Sequence, residues 1–308
     1  MFNGCNTIST LPIENWPFNK VINLKNFLSY TEKLQSLDVT SWDVSNVQDM
    51  AEMFRGSGIT SIEFTNGTDS WNVSNVTDTQ GMFSDCQGLM FLDLSTWNSG
   101  TSTTQYITDM SYMFNECKNL TEINFGEDWN TSSVTTVERM FSGCTDLYGL
   151  DVSKFNTHNV INMSGTFNEC KILEELNVDG WDTSNVENMS YMFAECSSIV
   201  ALNLTPNGNI WDVSKVKDMS HMFAGMTKLE SSEETIDVDD WIGSWHVSYV
   251  ENFSYMFDRC IMINKLPIAY WNVGSARDLS GMFNEMESLE VLDIGHEDHC
   301  RAAHARGW

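Results

Sequence analysis

Positive charge is what this chain has least of: 16 Lys and Arg stand against 43 Asp and Glu in 308 residues, a formal net charge of −27. Such a surface repels phosphate backbones and anionic lipid, so no nucleic acid is expected as a partner. Divalent cations and basic partners suit it, although the acid can also serve solubility alone. No run approaches the ~20 apolar residues of a membrane span. A basic-then-apolar leader is missing from the N-terminus. That says little, because MFNGC at 1–5 matches MFNEC at 113–117 within one residue. The sequence reads as opening inside a repeat, so upstream repeats and an export signal are expected to precede Met1. There is no G-x-S-x-G elbow, no Gly-rich phosphate loop and no basic stripe, and no enzyme is expected.

What is there instead is repetition. SWDVSNVQDMAEMF at 41–54 returns as SWNVSNVTDTQGMF at 70–83, GWDTSNVENMSYMF at 180–193 and IWDVSKVKDMSHMF at 210–223. Trp16, Trp42, Trp71, Trp97, Trp129, Trp181, Trp211, Trp245 and Trp271 mark one position, with Phe155 standing in once. Five of the nine intervals are 26 residues and the others are longer. A Met-Phe pair recurs with the same rhythm, giving eleven units when weaker copies at 27–28 and 166–167 are included. A single solenoid over 1–294 is expected, followed by a non-repeat tail at 295–308.

Each unit has three parts. L-x-x-L-D-V, as at Leu34, Leu37, Asp38 and Val39, alternates like a short strand with one buried face. The Trp corner carries Asp, Ser and Asn side chains that bond nearby backbone and turn the chain. The stretch from Asp49 through Met50, Met53 and Phe54 has helical spacing, which predicts one short α or 3-10 turn. Its leading residue (Asp49, Asp78, Asp109, Glu138, Asn162, Asn188, Asp218, Asn252 or Asp278) reads as an N-cap. Such a unit cannot bury its apolar face alone, but a stack of them can. The expected fold is α/β: a right-handed leucine-rich-repeat-type solenoid, with a parallel sheet of short strands and about eleven coils.

The unit LxxLDVSxWDTSNVxxMSxMFxxC resembles the BspA-like leucine-rich-repeat surface proteins, in particular the variant in mycoplasma-type surface lipoproteins. The resemblance covers about residues 1–294. It implies an exported or surface-anchored protein, secreted or at the cell surface, with adhesion to host or matrix proteins among the family's roles. It names no ligand.

Eight cysteines invite a disulfide framework. Position argues against one: Cys5, Cys86, Cys117, Cys144, Cys170, Cys196 and Cys260 all fall three residues after the Phe of a unit. Thr31, Ser57, Met226 and Met286 fill the same slot elsewhere. A slot shared by Cys, Ser, Thr and Met needs a smallish buried side chain and no bond. In the tail, His296, Asp298, His299, Cys300 and His304 are metal-capable, but they match neither H-E-x-x-H nor a CxxC zinc pattern, and no metal site is assigned.

Two places remain for a binding surface. The strand position between the inward residues holds Asp38, Glu63, Asp93, Asn124, Asp151, Asn177, Asn203 and Asp293, with Pro12, Asp237 and Pro267 completing the row. On a parallel sheet these project together along the concave face. They form either an Asx ladder that finishes the turn into the corner, or an acidic face for a cation or partner. Inserted residues offer the second place: Asn66, Asp69, Tyr106, Asn207, Glu233, Glu234, Asp239 and Asp240 all lie between strand and turn, on one side of the stack. ESSEETIDVDDW lacks the Gly and Glu of a calcium loop. No cofactor is expected, and Ca²⁺ on the acidic surface is left open with no motif behind it. The chain reads as a non-enzymatic surface protein that presents an extended acidic face to a protein or glycan. A structural envelope spacer without a ligand is an alternative, and an ice- or mineral-binding solenoid is another. Oligomeric state is not legible.

Overall fold

Neighbouring coils are held together chiefly by the turn stretch, and only secondarily by the strand. The computed structural model describes residues 1–65, 67, 70–98, 106–126, 129–204, 210–230 and 242–294. Within them the chain winds as a leucine-rich-repeat solenoid. On the concave side lie strands of three residues. β1 (Phe91–Asp93) pairs in parallel with β2 (Glu122–Asn124), β3 (Gly149–Asp151) with β4 (Glu175–Asn177), and β5 (Lys265–Pro267) with β6 (Val291–Asp293). Their central residues Leu92, Leu150 and Leu266 turn inward, as the period-two pattern requires.

On the other side a parallel ladder of single bridges runs through Asn23, Asp49, Asp78, Asp109, Thr136, Asn162, Asn188, Asp218, Asn252 and Asp278. The hydrogen bonds of one coil show how it works. The N–H groups of Met50, Glu52, Phe54 and Gly56 donate to the carbonyls of Asp78, Gln80, Met82 and Ser84 in the next coil. The intervening N–H groups of Met53, Arg55 and Ser57 close tight turns onto Met50, Glu52 and Phe54. Ala51 N–H goes to the Asp49 carboxylate at 2.9 Å. Every donor from 50 to 57 is therefore satisfied, which a buried backbone demands.

The expected helical turn after each corner is not what forms here. An α-helix would spend these N–H groups on its own carbonyls and leave nothing to bind the next coil. The Met-Phe stretch is instead a run of tight turns, and the 3-10 segments among the described residues are Phe18–Lys20 and Ser95–Asn98, the latter holding the corner Trp97. The leading Asx is accordingly no helix cap. Its Oδ1 accepts the N–H two residues on, as Asp109 does from Ser111 at 2.8 Å and Asn188 from Ser190 at 2.9 Å. Nor is Glu138 the residue in this slot. Thr136 occupies the ladder, and its hydroxyl takes the Glu138 N–H at 3.2 Å.

Alternation of bonded neighbours forces the backbone into the left-handed region at two slots per coil. One slot holds Asn26, Glu52, Gly81, Tyr112, Arg139, Gly165, Tyr191, His221, Tyr255 and Gly281; the other includes Gly56, Glu116, Gly143, Glu169, Glu195 and Gly225. Most of these are not glycine, and each such residue costs about 1–2 kcal/mol of backbone energy.

Core packing offsets that cost. Phe54, Phe83, Phe114, Phe141, Phe167, Phe193, Phe223, Phe257 and Phe283 form one offset-stacked column, with centroids 5.5–6.1 Å apart. A second column carries the corner tryptophans, as in Trp42–Trp71 and Trp181–Trp211 at 6.1 Å. Trp71, Trp181 and Trp271 also donate their indole N–H to the carbonyls of Val39, Val152 and Ile242 in the coil before. The corner Asn is a staple: Asn75, Asn159 and Asn185 give their amides to the carbonyls of Ser45, Ser132 and His158.

The left-handed slots make opposite predictions for substitutions to and from glycine. Glu169→Gly (native φ 61°) is expected to leave stability unchanged or raise it by up to about 1 kcal/mol. Gly143→Ala, at φ 76° and with its new Cβ 3.3 Å from the Glu116 Cα, is expected to lose about 1–2 kcal/mol. Urea unfolding of the two variants beside the parent checks both signs.

Candidate functional site

The ladder residues of the concave face begin as turn formers. Oδ1 of Asp38 accepts the N–H and hydroxyl of Thr40 at 2.9 and 2.7 Å. Asp93, Asn124, Asp151 and Asn177 do the same for the N–H of Ser95, Gly126, Ser153 and Asp179, at 2.9–3.1 Å. One side-chain oxygen of each is thus committed to the corner. These bonds favour the charged form. The Thr40 hydroxyl and N–H hold Asp38 below the usual carboxylate range. Burial pushes the Asp151 carboxyl up, but bonds from Ser153 and Asn177 outweigh it and leave its pKa lowered.

Strand register places Asp93 beside Asn124, Asp151 beside Asn177, and Pro267 beside Asp293. Two shallow grooves open over the row. Pro12, Asp38 and Glu63 line one of about 720 Å³, together with the small side chains of Thr10, Ser36 and Ser61. Asp151, Asn177 and Asn203 line another of about 810 Å³, where Gly149 and Ala201 leave room beside Glu175. Asn203 also gives its amide to Asp179 at 3.3 Å. Exposed apolar side chains border the face, namely Met90, Phe91 and Tyr148. Among the inserted residues, Tyr106 is about half exposed and lines neither groove. Asn66, Asp69, Asn207, Glu233, Glu234, Asp239 and Asp240 lie outside the described residues, as do Asp237 and the tail from 295.

A second acidic row is formed by residues whose sequence pattern is that of helix caps. Asp49, Asp78 and Asp109 are consecutive rungs of the bridge ladder. Burial, then the charges of Asp109 and Asp49, push the Asp78 carboxyl up even though the Gln80 N–H favours its ionised form. Elsewhere the same ladder relieves itself with amides: Asn23 donates to Asp49 at 2.9 Å and Asn162 to Glu138 at 3.0 Å. Among the described residues no group of three or more His, Cys, Asp or Glu side chains is placed to hold a metal ion. No helix of the described residues is long and apolar enough to cross a membrane.

Six of the repeat cysteines are buried. All seven described ones are free. Sγ of Cys117, Cys144, Cys170 and Cys196 donates to the carbonyl of Phe83, Phe114, Phe141 and Phe167 at 2.9–3.1 Å. Burial drives the Cys86 and Cys170 thiols up to about 12, far from a reactive thiolate.

Three overlapping matches to one family model, over residues 1–120, 108–236 and 201–300, cover nearly all of the chain; the family is described as "Mycoplasma protein of unknown function, DUF285". The chain belongs to the DUF285 family. That agrees with the mycoplasma-type repeat that its unit resembles. No curated protein matches it in sequence. Among solved structures, a leucine-rich repeat protein from Bacteroides ovatus is 15% identical, covering 86% of this chain and 73% of its own, with a TM-score of 0.29. One from Eubacterium ventriosum is 13% identical, covering 85% and 76%, with a TM-score of 0.37. A leucine-rich cell surface protein from Faecalibacterium prausnitzii is 13% identical, covering 88% and 79%, with a TM-score of 0.33.

Asp78 has its pKa raised in the fold, so its ionisation costs stability at pH values above the folded pKa. That cost vanishes as pH falls below the ordinary value of about 3.9. Asp78→Asn keeps an Oδ1 for Gln80 and adds an amide for a neighbouring carboxylate. It is expected to stabilise the protein by about 1 kcal/mol at pH 7 and by nothing near pH 3. Melting at the two pH values checks this. For the cysteines, alkylation with peptide mapping is expected to label half-buried Cys5 in the native protein, and the other six repeat thiols only after unfolding.

Proposed function

We propose that this DUF285 chain is a non-enzymatic protein of the cell surface or its exterior, and that its concave face binds a basic segment of a partner protein. The observation that carries the reading is the row Asp38, Glu63 and Asp93. The turn engages only Oδ1 of Asp38 and Asp93, which leaves each a second oxygen for a partner. Carboxylates on neighbouring coils ~4.8 Å apart repel by roughly 1 kcal/mol even in water. Asn at this position serves the turn equally well, as Asn124 and Asn177 show. The acid is therefore surplus to the fold, and a Lys- or Arg-bearing partner offsets its repulsion. The groove over Asp38 and Glu63 gives such a side chain a floor of small hydroxyl residues. The family resemblance and the net charge of −27 support the same reading.

Salt and substitution test it. In a binding screen against matrix glycoproteins and Lys-rich peptides, the triple variant Asp38→Asn, Glu63→Gln, Asp93→Asn is expected to bind at least about tenfold more weakly than the parent. The parent's affinity is expected to fall between 50 and 500 mM salt. A variant that binds as the parent does would remove the concave face from the proposal. A melting temperature that rises with Ca²⁺ and loses that rise in the triple variant would assign the row to a cation instead.

A further inference from the structure

We propose that the corner face of the coils around Trp245 and Trp271 carries a separate binding site for a neutral glycan. This site does not rest on the concave-face reading. The repeat supplies a rule for its own corner, and these coils break the rule at three slots. The residue after the corner Trp is Asp43, Asn72, Asn130, Asp182, Asp212 and Asn272 elsewhere, and Oδ1 of each receives a backbone N–H two residues on. At this slot the coil of Trp245 has His246. The slot of the stapling Asn75, Asn159 and Asn185, which elsewhere also takes Ser133, Lys215 and the hydroxyl staple Ser275, holds Tyr249 here. Immediately before the Trp, a slot that varies between coils (Ser41, Thr96, Lys154, Gly180, Ile210) but carries no other aromatic residue, stands Tyr270. Among the described residues, neither His246 nor Tyr249 makes the backbone bond that an Asx or Asn makes at its slot.

Those groups face solvent. Tyr270 is 81% exposed and Tyr249 66%, more than any other aromatic side chain among the described residues. Tyr270 edges a groove of about 460 Å³ whose lining also includes Gly243, Ser244, His246, Ser248 and Asn272. Among the described residues that line it, none carries a carboxylate, an ammonium or a guanidinium, in a chain with 43 acids. The neutral lining selects against the basic partner of the concave face. What it offers is a bare aromatic ring, hydroxyls, an imidazole and an amide around a glycine floor. A pyranose fits that set. Its axial C–H bonds, partly positive, lie on the negative face of an aromatic ring. Its hydroxyls pair with a few convergent polar groups at the wall. Asn272 spends Oδ1 on the Gly274 N–H at 3.0 Å, and its Nδ2 is left to donate to a sugar oxygen.

The test uses the full chain and a panel of neutral tri- and tetrasaccharides of glucose, galactose, mannose and N-acetylglucosamine. At least one is expected to bind with a dissociation constant between about 0.01 and 5 mM by calorimetry. Saturation-transfer spectra of the unaltered protein are expected to place its C–H protons against the Tyr270 ring. Tyr270→Ala should weaken that binding at least about tenfold, with a melting temperature within 2–3 °C of the parent because the side chain is on the surface. Tyr270→Phe, which keeps the ring, should stay within about threefold, and Tyr30→Ala, which is not in the lining of the groove, should leave the binding unchanged. Absence of binding by every saccharide at 10 mM overturns the proposal. So does binding indifferent to Tyr270→Ala, or a Pro-rich peptide that occupies the groove where no sugar does.

Discussion

The constraint on which everything else in this solenoid depends is the use of alternate backbone N–H groups in the Met-Phe stretch. Half of them hold the next coil and half close tight turns within their own. Once that division is imposed, the other features follow. Met50, Met53, Phe54 and Ser57 and their counterparts point inward, which gives the Met, Phe and Cys columns. Two of the residues that bond the next coil, Glu52 and Gly56 in the coil of Trp42, sit in the left-handed region. The donor two residues past the bridge is taken by the bridge residue's own Asx or Thr oxygen. Local strain is therefore a consequence of the inter-coil ladder, and burial of nearly complete columns of Phe and Met outweighs it.

Much of this was legible from the repeat. The period, the parallel strands, the inward Leu and Trp, and the unpaired cysteine slot all come from asking which side chains one position will accept. The helix was misread because apolar residues at i, i+3 and i+4 also fit a chain that alternates bonded and turn-forming residues; Met50, Met53 and Phe54 satisfy both patterns. A usable signal was overlooked. Glycine recurs at 81, 165 and 281 and again at 4, 56, 143 and 225, two slots in register with the rest of the unit. Glycine sharing a slot with Glu, Tyr and Arg marks a required left-handed backbone better than any helical moment does. The placing of Glu138 failed for a related reason. An acid was expected where the coil uses Thr136, whose hydroxyl meets the same backbone donor.

For the candidate sites, the sequence leaves the concave row between an Asx ladder that finishes the turn and an acidic face, and the hydrogen bonds show the ladder. Asp38, Asp93, Asn124, Asp151 and Asn177 make the corner before they can make a binding face. The same economy explains the row of Asp49, Asp78 and Asp109, which looks like a site and is backbone chemistry repeated. Function is better sought where the unit departs from itself. Surplus acid at the concave row and the tyrosines at 249 and 270 are departures of that kind.

The direction of the inter-coil hydrogen bonds has a mechanical meaning. They lie along the solenoid axis, so a pull along that axis strains one rung at a time rather than a whole sheet in shear. A coil of 26 residues occupies about 4.8 Å of axis when wound, and releases roughly 85–90 Å of chain when its rung gives way. Its neighbours stay folded, because each coil answers only to the ones beside it. Under such a load the stack is expected to lengthen one coil at a time.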